Sequence, residues 1–199
     1  MSAEEFGSGP RNPTPDHRAE SNRWDDPPAA SCVDVNLGSP LEDIARCAEQ
    51  GNARLQYLFG FKLATGIGVP KDDAEAVRWY RLAAEQGYDL AQAALGGEYT
   101  HGDGVPKDDG ESVRWYRLAA EQGYDLAQYQ LGLKYANGEG VPEDQVLALM
   151  WWNLSTAQGH ETAQTNKEII EQRMTGEQIV EAQRRSREWL KTHPPDGGD

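Results

Sequence analysis

The sequence predicts an all-α fold of stacked helical hairpins, on three observations. Gly-x-Gly-Val-Pro recurs as Gly66 to Pro70, Gly102 to Pro106 and Gly138 to Pro142, a period of 36 residues. Lys71 to Gln92 matches Lys107 to Gln128 at 20 of 22 positions, the differences being Ala74/Gly110 and Ala76/Ser112. Between the turns the apolar residues keep helical spacing, and glycines fall at both joints of each unit. A hairpin of this size cannot bury its own apolar face, so neighbours must stack into a continuous core closed by polar end caps.

Taken in order, residues 1–38 carry Pro10, Pro13, Pro15, Pro27 and Pro28 with seven acidic and three basic side chains and no helical apolar period. Such a stretch buries too little apolar surface to offset its ordering entropy, and a disordered arm is expected there, with Trp24 and Cys32-Val33 as its only docking candidates and Glu5 to Ser8 resembling cloning residue. Ser39-Pro40-Leu41-Glu42 reads as a capping box, opening a helix with Leu41, Ile44, Ala45 and Ala48 on one face and a stop at Gly51.

The second helix of each unit carries a stripe: Ala76, Trp79, Tyr80, Ala83, Gly87; then Ser112, Trp115, Tyr116, Ala119, Gly123; then Ala148, Trp151, Trp152, Ser155, Gly159. Asp72 and Glu75 read as its capping box, with Arg78, Arg81 and Glu85 facing water. The first helices give Leu55-Phe59-Leu63, Ala91-Leu95-Tyr99 and Ala127-Leu131-Tyr135. Gly60, Gly96 and Gly132 sit beside that stripe. A helical glycine costs about 1 kcal/mol relative to alanine, so its recurrence predicts close helix approach, with the tryptophan as neighbour. The pattern ends where Lys167, Glu168 and Glu171 replace Leu, Gly and Tyr, and Thr175 to Gln178 opens a capping helix. Its inner side is Ile179, Ala182, Ser186, Trp189 and Leu190. Glu181, Arg184, Arg185 and Arg187 form a solvated face. The expected organisation is repeats over 39–159, capping helices over 160–191 and a disordered tail over 192–199.

Ala-x-x-x-Leu-Gly-x-x-Tyr-x-x-Gly-x-Gly-Val-Pro-x-Asp, followed by a Trp-Tyr helix ending Ala-Ala-x-x-Gly, resembles the Sel-one-like repeat. Three copies and a leading half unit cover Leu41 to Gly159, and Met174 to Ile179 resembles the cap that follows such arrays. The resemblance implies a right-handed α-α superhelix related to tetratricopeptide repeats, acting as a scaffold for protein contacts. A cysteine-rich secreted branch of the family is associated with β-lactam binding or hydrolysis. That branch carries a cysteine pair in each repeat, whereas here the repeats from Gly51 onward carry none.

Thirty-three acidic against 19 basic residues give a net charge of −14, which repels phosphate backbones and anionic lipid. Neither nucleic acid nor membrane is an expected partner. No apolar run reaches spanning length, and Met1 to Pro28 lacks a signal-peptide core. Cys32 and Cys47 match no metal or Cys-x-x-Cys spacing, so a reduced cytoplasmic setting is the default, with a single tethering disulfide in a periplasmic or secreted setting as the alternative.

Catalysis needs clustered groups in complementary roles, and none emerges. His17, His101, His160 and His193 have no ligand spacing and read as surface residues. Gly102 to Lys107 lacks the Gly-Lys-Ser/Thr end of a phosphate loop. Asp103, Asp108 and Asp109 lack the alternation of a calcium loop, Asp108 reading as a helix cap. Ser-x-x-Lys and Gly-x-Ser-x-Gly are absent. No catalytic residue, metal or cofactor is expected.

Positions that vary between matching repeats are the binding candidates, since recurring ones serve the shared packing. Tyr57, Ala93 and Tyr129 share one register, and Phe61, Gly97 and Leu133 another, both about 200° from the leucine stripe. They face the concave side or the seam between repeats. Small residues at Ala93 and Gly97 between large neighbours predict a hollow for an apolar anchor from a partner helix or peptide, with seam filling as the alternative. Ala93→Trp is expected to block it without loss of folding. Eighteen acidic and ten basic residues over 41–160 predict a basic or neutral partner, salt-sensitive association and a monomeric array. A purely architectural spacer is the remaining function class.

Overall fold

The computed structural model describes residues 31–194, so the expectations for residues 1–30, Trp24 included, and for 195–199 lie outside the described residues. Within 31–194 the chain is an all-α repeat solenoid. Its helices are α1 (Leu41–Glu49), α2 (Ala53–Thr65), α3 (Asp73–Glu85), α4 (Asp89–His101), α5 (Asp109–Glu121), α6 (Asp125–Asn137), α7 (Gln145–Ala157), α8 (Glu161–Glu171) and α9 (Gly176–Thr192). The hairpins are α2–α3, α4–α5 and α6–α7. Each second helix packs onto the first helix of the next unit, and α9 closes the array against α7.

Local chemistry repeats with the period. The first helices end on left-handed Gly66, Gly102 and Gly138, with φ of 72°, 80° and 68°. Each turn is closed by the amide of the residue just before the next helix: Asp72 to the Leu63 carbonyl at 3.0 Å, Asp108 to Tyr99 at 2.9 Å, Asp144 to Tyr135 at 2.9 Å. The same aspartates then cap the second helices, accepting from the amides of Glu75, Glu111 and Leu147. The expected Asp72–Glu75 box is therefore half formed, because the Asp72 amide is spent on the turn and the Glu75 carboxylate pairs with Arg78.

Leu55, Leu95 and Leu131 are fully buried at the hairpin centres, each stabilising by about 1.5–3 kcal/mol. The inter-helix glycines behave as expected, but their neighbour is different. Gly60 faces the ring of Tyr80, Gly96 that of Tyr116, and Gly132 that of Trp152; a β-carbon at Gly96 would lie 2.7 Å from Tyr116 Cδ1. Trp79 instead meets Phe59 edge-on, with ring centroids 5.1 Å apart. Two adjacent ring positions differ by a 100° rotation, and the hairpin crossing sends the second one at the glycine.

The two ends depart from expectation most. Residues 31–38 are not all free arm: Val35 is 1% exposed against Ile44, Cys47, Ala48 and Leu55. A Cys32–Cys47 disulfide, Cα atoms 5.7 Å apart, ties this segment to α1, in place of the expected reduced pair. The Ser39 capping box does not form, because the Ser39 hydroxyl accepts from the Asn36 amide at 3.0 Å inside the tied segment and α1 begins without a side-chain cap. Cys47 accordingly joins Ile44 and Ala48 on the buried face, while Leu41 and Ala45 are only half-buried. At the other end α9 reaches Thr192, its Thr175–Gln178 capping box complete. Ala182 and Ser186 are buried, and Leu190 is exposed. Arg184 and Arg185 are matched by Glu181 and Glu188 at 2.6–2.7 Å.

A glutamine relay crosses the first three joints and was not visible in the periodicity; at the fourth, Gln164 donates to Glu168 instead. Gln56, Gln92 and Gln128, each nearly or fully buried, donate to the carbonyls of Ala48, Ala84 and Ala120 at the ends of the preceding second helices. Each accepts in turn from the glutamine that closes its own hairpin: Gln86 at 2.6 Å, Gln122 at 2.7 Å, Gln158 at 3.0 Å. Gln128→Leu would take the side-chain bond from the Ala120 carbonyl, which keeps its bond from the Gly123 amide, and turn one donor of the exposed Gln158 to water. It is expected to cost about 1 kcal/mol in denaturant unfolding, although leucine is the more apolar residue.

Candidate partner-binding surface

The six residues of the two variable registers are spread over adjacent core clusters. Tyr57 and Phe61 pair on α2, ring centroids 6.3 Å apart, and Tyr57 continues onto Tyr80 at 5.7 Å and Tyr88 at 5.5 Å. Ala93 is 8% exposed and packs with Val113 and Tyr116, while Gly97 has only the Tyr116 hydroxyl within reach of a β-carbon, at 3.6 Å. Tyr129 and Leu133 pack with α7 and α8, and Tyr129 stacks on His160 with centroids 4.6 Å apart.

A third register completes this surface and was missed. Tyr88, Tyr124 and His160 precede α4, α6 and α8 at their N-caps and close over the first-helix residue of the preceding unit. Tyr124 packs against the cluster holding Ala93 and lies near enough to Tyr57 for the two phenols to interact. Space expected to be open above Ala93 is thus partly taken by Tyr124, because a small residue lets the next ring lean in. Ala93→Trp would overpack that contact at about 1–3 kcal/mol, so it is no longer a clean probe; Gly97 has the room. The available signal was the recurrence of Gly-Tyr-Asp-Leu, which periodicity alone assigns to a joint. His160, expected to be a plain surface residue, also caps α8 by accepting from the Ala163 amide at 3.2 Å.

Charge near this surface comes from Asp89 and Asp125, which act on Tyr57, Tyr88 and Tyr124, and from Glu98 on α4. Burial pushes its carboxyl up to about 7 from 4.5, aided by Asp103 and Asp73 and opposed by Lys71. Tyr80 and Tyr116, also acted on by Glu98, are raised chiefly by burial. Because the folded chain keeps the Glu98 proton where the unfolded chain has released it, stability should fall as pH rises from about 4.5 to 7 and then level off. Glu98→Gln should flatten that decline in a series of melts across pH. Arg81, expected in water, instead donates to the Tyr99 hydroxyl at 2.9 Å, as Arg117 does to Tyr135 at 2.9 Å.

Two clefts flank the C-terminal joints. One of about 470 Å³ lies among Gly123, Gln128, Leu154, Gln158 and Trp189; the other, about 240 Å³, lies among Leu133, Trp152, Ile170 and Arg173. Among the described residues no group of three or more His, Cys, Asp or Glu side chains is placed to hold a metal ion, and no helix is long and apolar enough to cross a membrane.

The Sel1 repeat pattern matches residues 56–88, 89–124 and 125–160, the three hairpins with their joints. The chain belongs to the Sel1 repeat family. Its fold is similar to that of a protective antigen of uropathogenic Escherichia coli displaying an SLR fold, at 34% identity and a TM-score of 0.73 over 78% of this chain. That similarity spans only 33% of the antigen's length. A Sel1 repeat protein from Oxalobacter formigenes is 41% identical over 64% of this chain and 96% of its own, with a TM-score of 0.60. No curated protein matches at significance. Sel1 repeats serve generally as protein-interaction scaffolds and are typically non-enzymatic.

Proposed function

We propose that this Sel1 array is a non-catalytic adaptor that binds a peptide or helix along its first helices, over Tyr57, Phe61, Ala93, Gly97, Tyr129 and Leu133, with Tyr88 and Tyr124 as added walls. One observation carries this reading. The recurring positions are consumed by packing, glycine against ring and glutamine against carbonyl, whereas five of the six variable ones remain half-exposed. Half-exposed tyrosines offer large apolar faces with a polar tip at low entropic cost, which suits a peptide groove. Net charge and the carboxylates beside the groove favour a basic partner with an apolar anchor, and like-charged copies favour a monomer. The Cys32–Cys47 bridge favours an oxidising compartment over the cytoplasmic default.

The test is selection of a phage-displayed random peptide library on the wild-type chain, followed by affinity measurements on variants. Gly97→Trp should fold, since it removes a helical glycine at a half-exposed position where a β-carbon meets only the Tyr116 hydroxyl, at 3.6 Å, and should weaken selected peptides at least about tenfold. Leu118→Ala, on the exposed side of α5, should leave them unchanged. Absence of any enriched peptide, or loss on Leu118→Ala with none on Gly97→Trp, would count against this surface.

A further inference from the structure

The larger of the two clefts, about 470 Å³, opens where second helices end. Gln122, Gln158 and His193, the C-caps of α5, α7 and α9, all line it, so three helix C-termini with their partial negative charge border one space. Leu154, Trp189 and Leu190 form an apolar wall, in which the Trp189 ring lies face-on to His193 at 4.3 Å and edge-on to Trp151 at 6.2 Å. The wall exists because α9 packs directly on α7, more closely than any two of α3, α5 and α7 pack on one another.

The polar groups left unused around this space are acceptors. Glu121, the last residue of α5, is exposed and makes no ion pair among the described residues. No lysine or arginine lines the cleft. Gln158 spends its amide on the Gly123 carbonyl and on Gln128, and Gln122 donates to Gln92, which leaves the Oε1 of each without a partner. A carboxylate, two amide oxygens and three helix ends, beside an aromatic and aliphatic wall, call for a ligand that is cationic, rich in N–H donors and carried on an apolar stem. Among side chains arginine has that constitution. It sets five N–H donors on a flat, permanently charged head that stacks on indole, as Arg114 does 4.6 Å above Trp115 in α5.

We infer that this cleft is a second docking site, which takes an arginine side chain of a protein partner, its guanidinium on Glu121 and the Gln122 and Gln158 oxygens and its stem against Leu154, Trp189 and Leu190. The site shares no lining residue with the tyrosine groove and goes beyond the function proposed for it. Charge selects the occupant. Residues 195–199, which follow the lining Pro194, bring Asp196 and Asp199 and no basic group, so they do not supply the cation. A second copy would bring a net charge of −14 against a surface of the same sign. The preceding joint is an internal control: Glu85 and Gln86 hold the places of Glu121 and Gln122 there, but α7 does not pack on α5 as closely as α9 packs on α7.

The test is a nuclear magnetic resonance titration of the full chain with Nα-acetyl-arginine methylamide, with its lysine and citrulline analogues and free arginine as controls. The arginine amide should shift the Trp189 indole N–H, the Gly123 amide and the Gln158 side-chain amide, and the neutral citrulline analogue should bind at least about threefold more weakly. The lysine analogue should also be weaker, and so should free arginine, whose carboxylate meets only acceptors. Glu121→Gln should weaken the arginine amide by a similar factor, and Glu85→Gln should not. Ala157→Arg, at the exposed end of α7, should keep the fold and fill the cleft from within, abolishing the shifts. Gly97→Trp, which blocks the groove, should leave them unchanged, so the two sites can fail separately. No shifts, equal binding of the citrulline or lysine analogue, equal or tighter binding of free arginine, or indifference to both Glu121→Gln and Ala157→Arg in folded protein would each overturn the inference. Trp189 shifts that track protein concentration alone would assign the cleft to a second copy, and tighter binding of the arginine amide after removal of residues 195–199 would assign it to the chain's own end; either would overturn it as well.

Discussion

Gly104→Ala is expected to destabilise the array by about 3 kcal/mol, and Gly140→Ala by a similar amount, whereas Gly68→Ala at the same point of the first turn should cost about 1 kcal/mol. All three glycines have positive φ, 77°, 68° and 73° in chain order, so alanine is conformationally disfavoured at each. They differ in what lies beneath. A β-carbon at Gly104 would run into the carbonyl of Asp73, and one at Gly140 into that of Asp109, backbone atoms at the starts of α3 and α5 that have no rotamer to move into. At Gly68 nothing lies within 4 Å, because no preceding hairpin presents a helix start there. For a chain of this length the larger loss corresponds to roughly 6–12 °C in Tm. Three equal effects would mean that the turns matter only as turns, not as contacts between units.

The second large effect belongs to the N-terminal cap. Cys32→Ser is expected to lower stability by about 3 kcal/mol, from the entropy that a bridge spanning 15 residues removes from the unfolded chain. The loss should be local. Val35 is held over Ile44 and Leu55 by the bridge and by a hydrogen bond from the Arg54 guanidinium to the Val35 carbonyl, so its release exposes the first cluster, where Phe59 and Trp79 also pack. Tryptophan fluorescence should shift to the red under a reductant, and amide exchange should quicken in α1 while α5 to α7 hold. A melting curve indifferent to reductant would show that the segment docks by packing alone.

The solenoid was legible because its determinants are local and copied: capping aspartates, left-handed glycines and leucines at four-residue spacing act within one turn of helix and recur. What stayed hidden depends on how one helix crosses another. Tyr80, rather than Trp79, meets Gly60 because of the hairpin crossing, which no spacing rule reports. The buried glutamines look like surface residues in a hydropathy pattern, yet their amides add a second hydrogen bond to helix-end carbonyls, Ala48 and Ala120 among them, that already accept from Gly51 and Gly123. Ser39 was assigned to α1 on its capping pattern, but a turn tied down by Cys32 had prior use for the hydroxyl. The variable registers could be found by comparing copies. Tyr124 could not be placed above Ala93 that way, since its reach across the joint follows from the missing bulk at Ala93.

That hairpins lend one another a common interior is tested most directly by native-state hydrogen exchange on the wild-type chain and on Gly104→Ala. A shared interior predicts that the lesion at one joint quickens exchange in α3 and in α4–α5 together, with protection in the wild type highest in the central helices and falling toward both ends. Faster exchange confined to the turn at Gly104, with each hairpin otherwise opening at its own undisturbed rate, would contradict it.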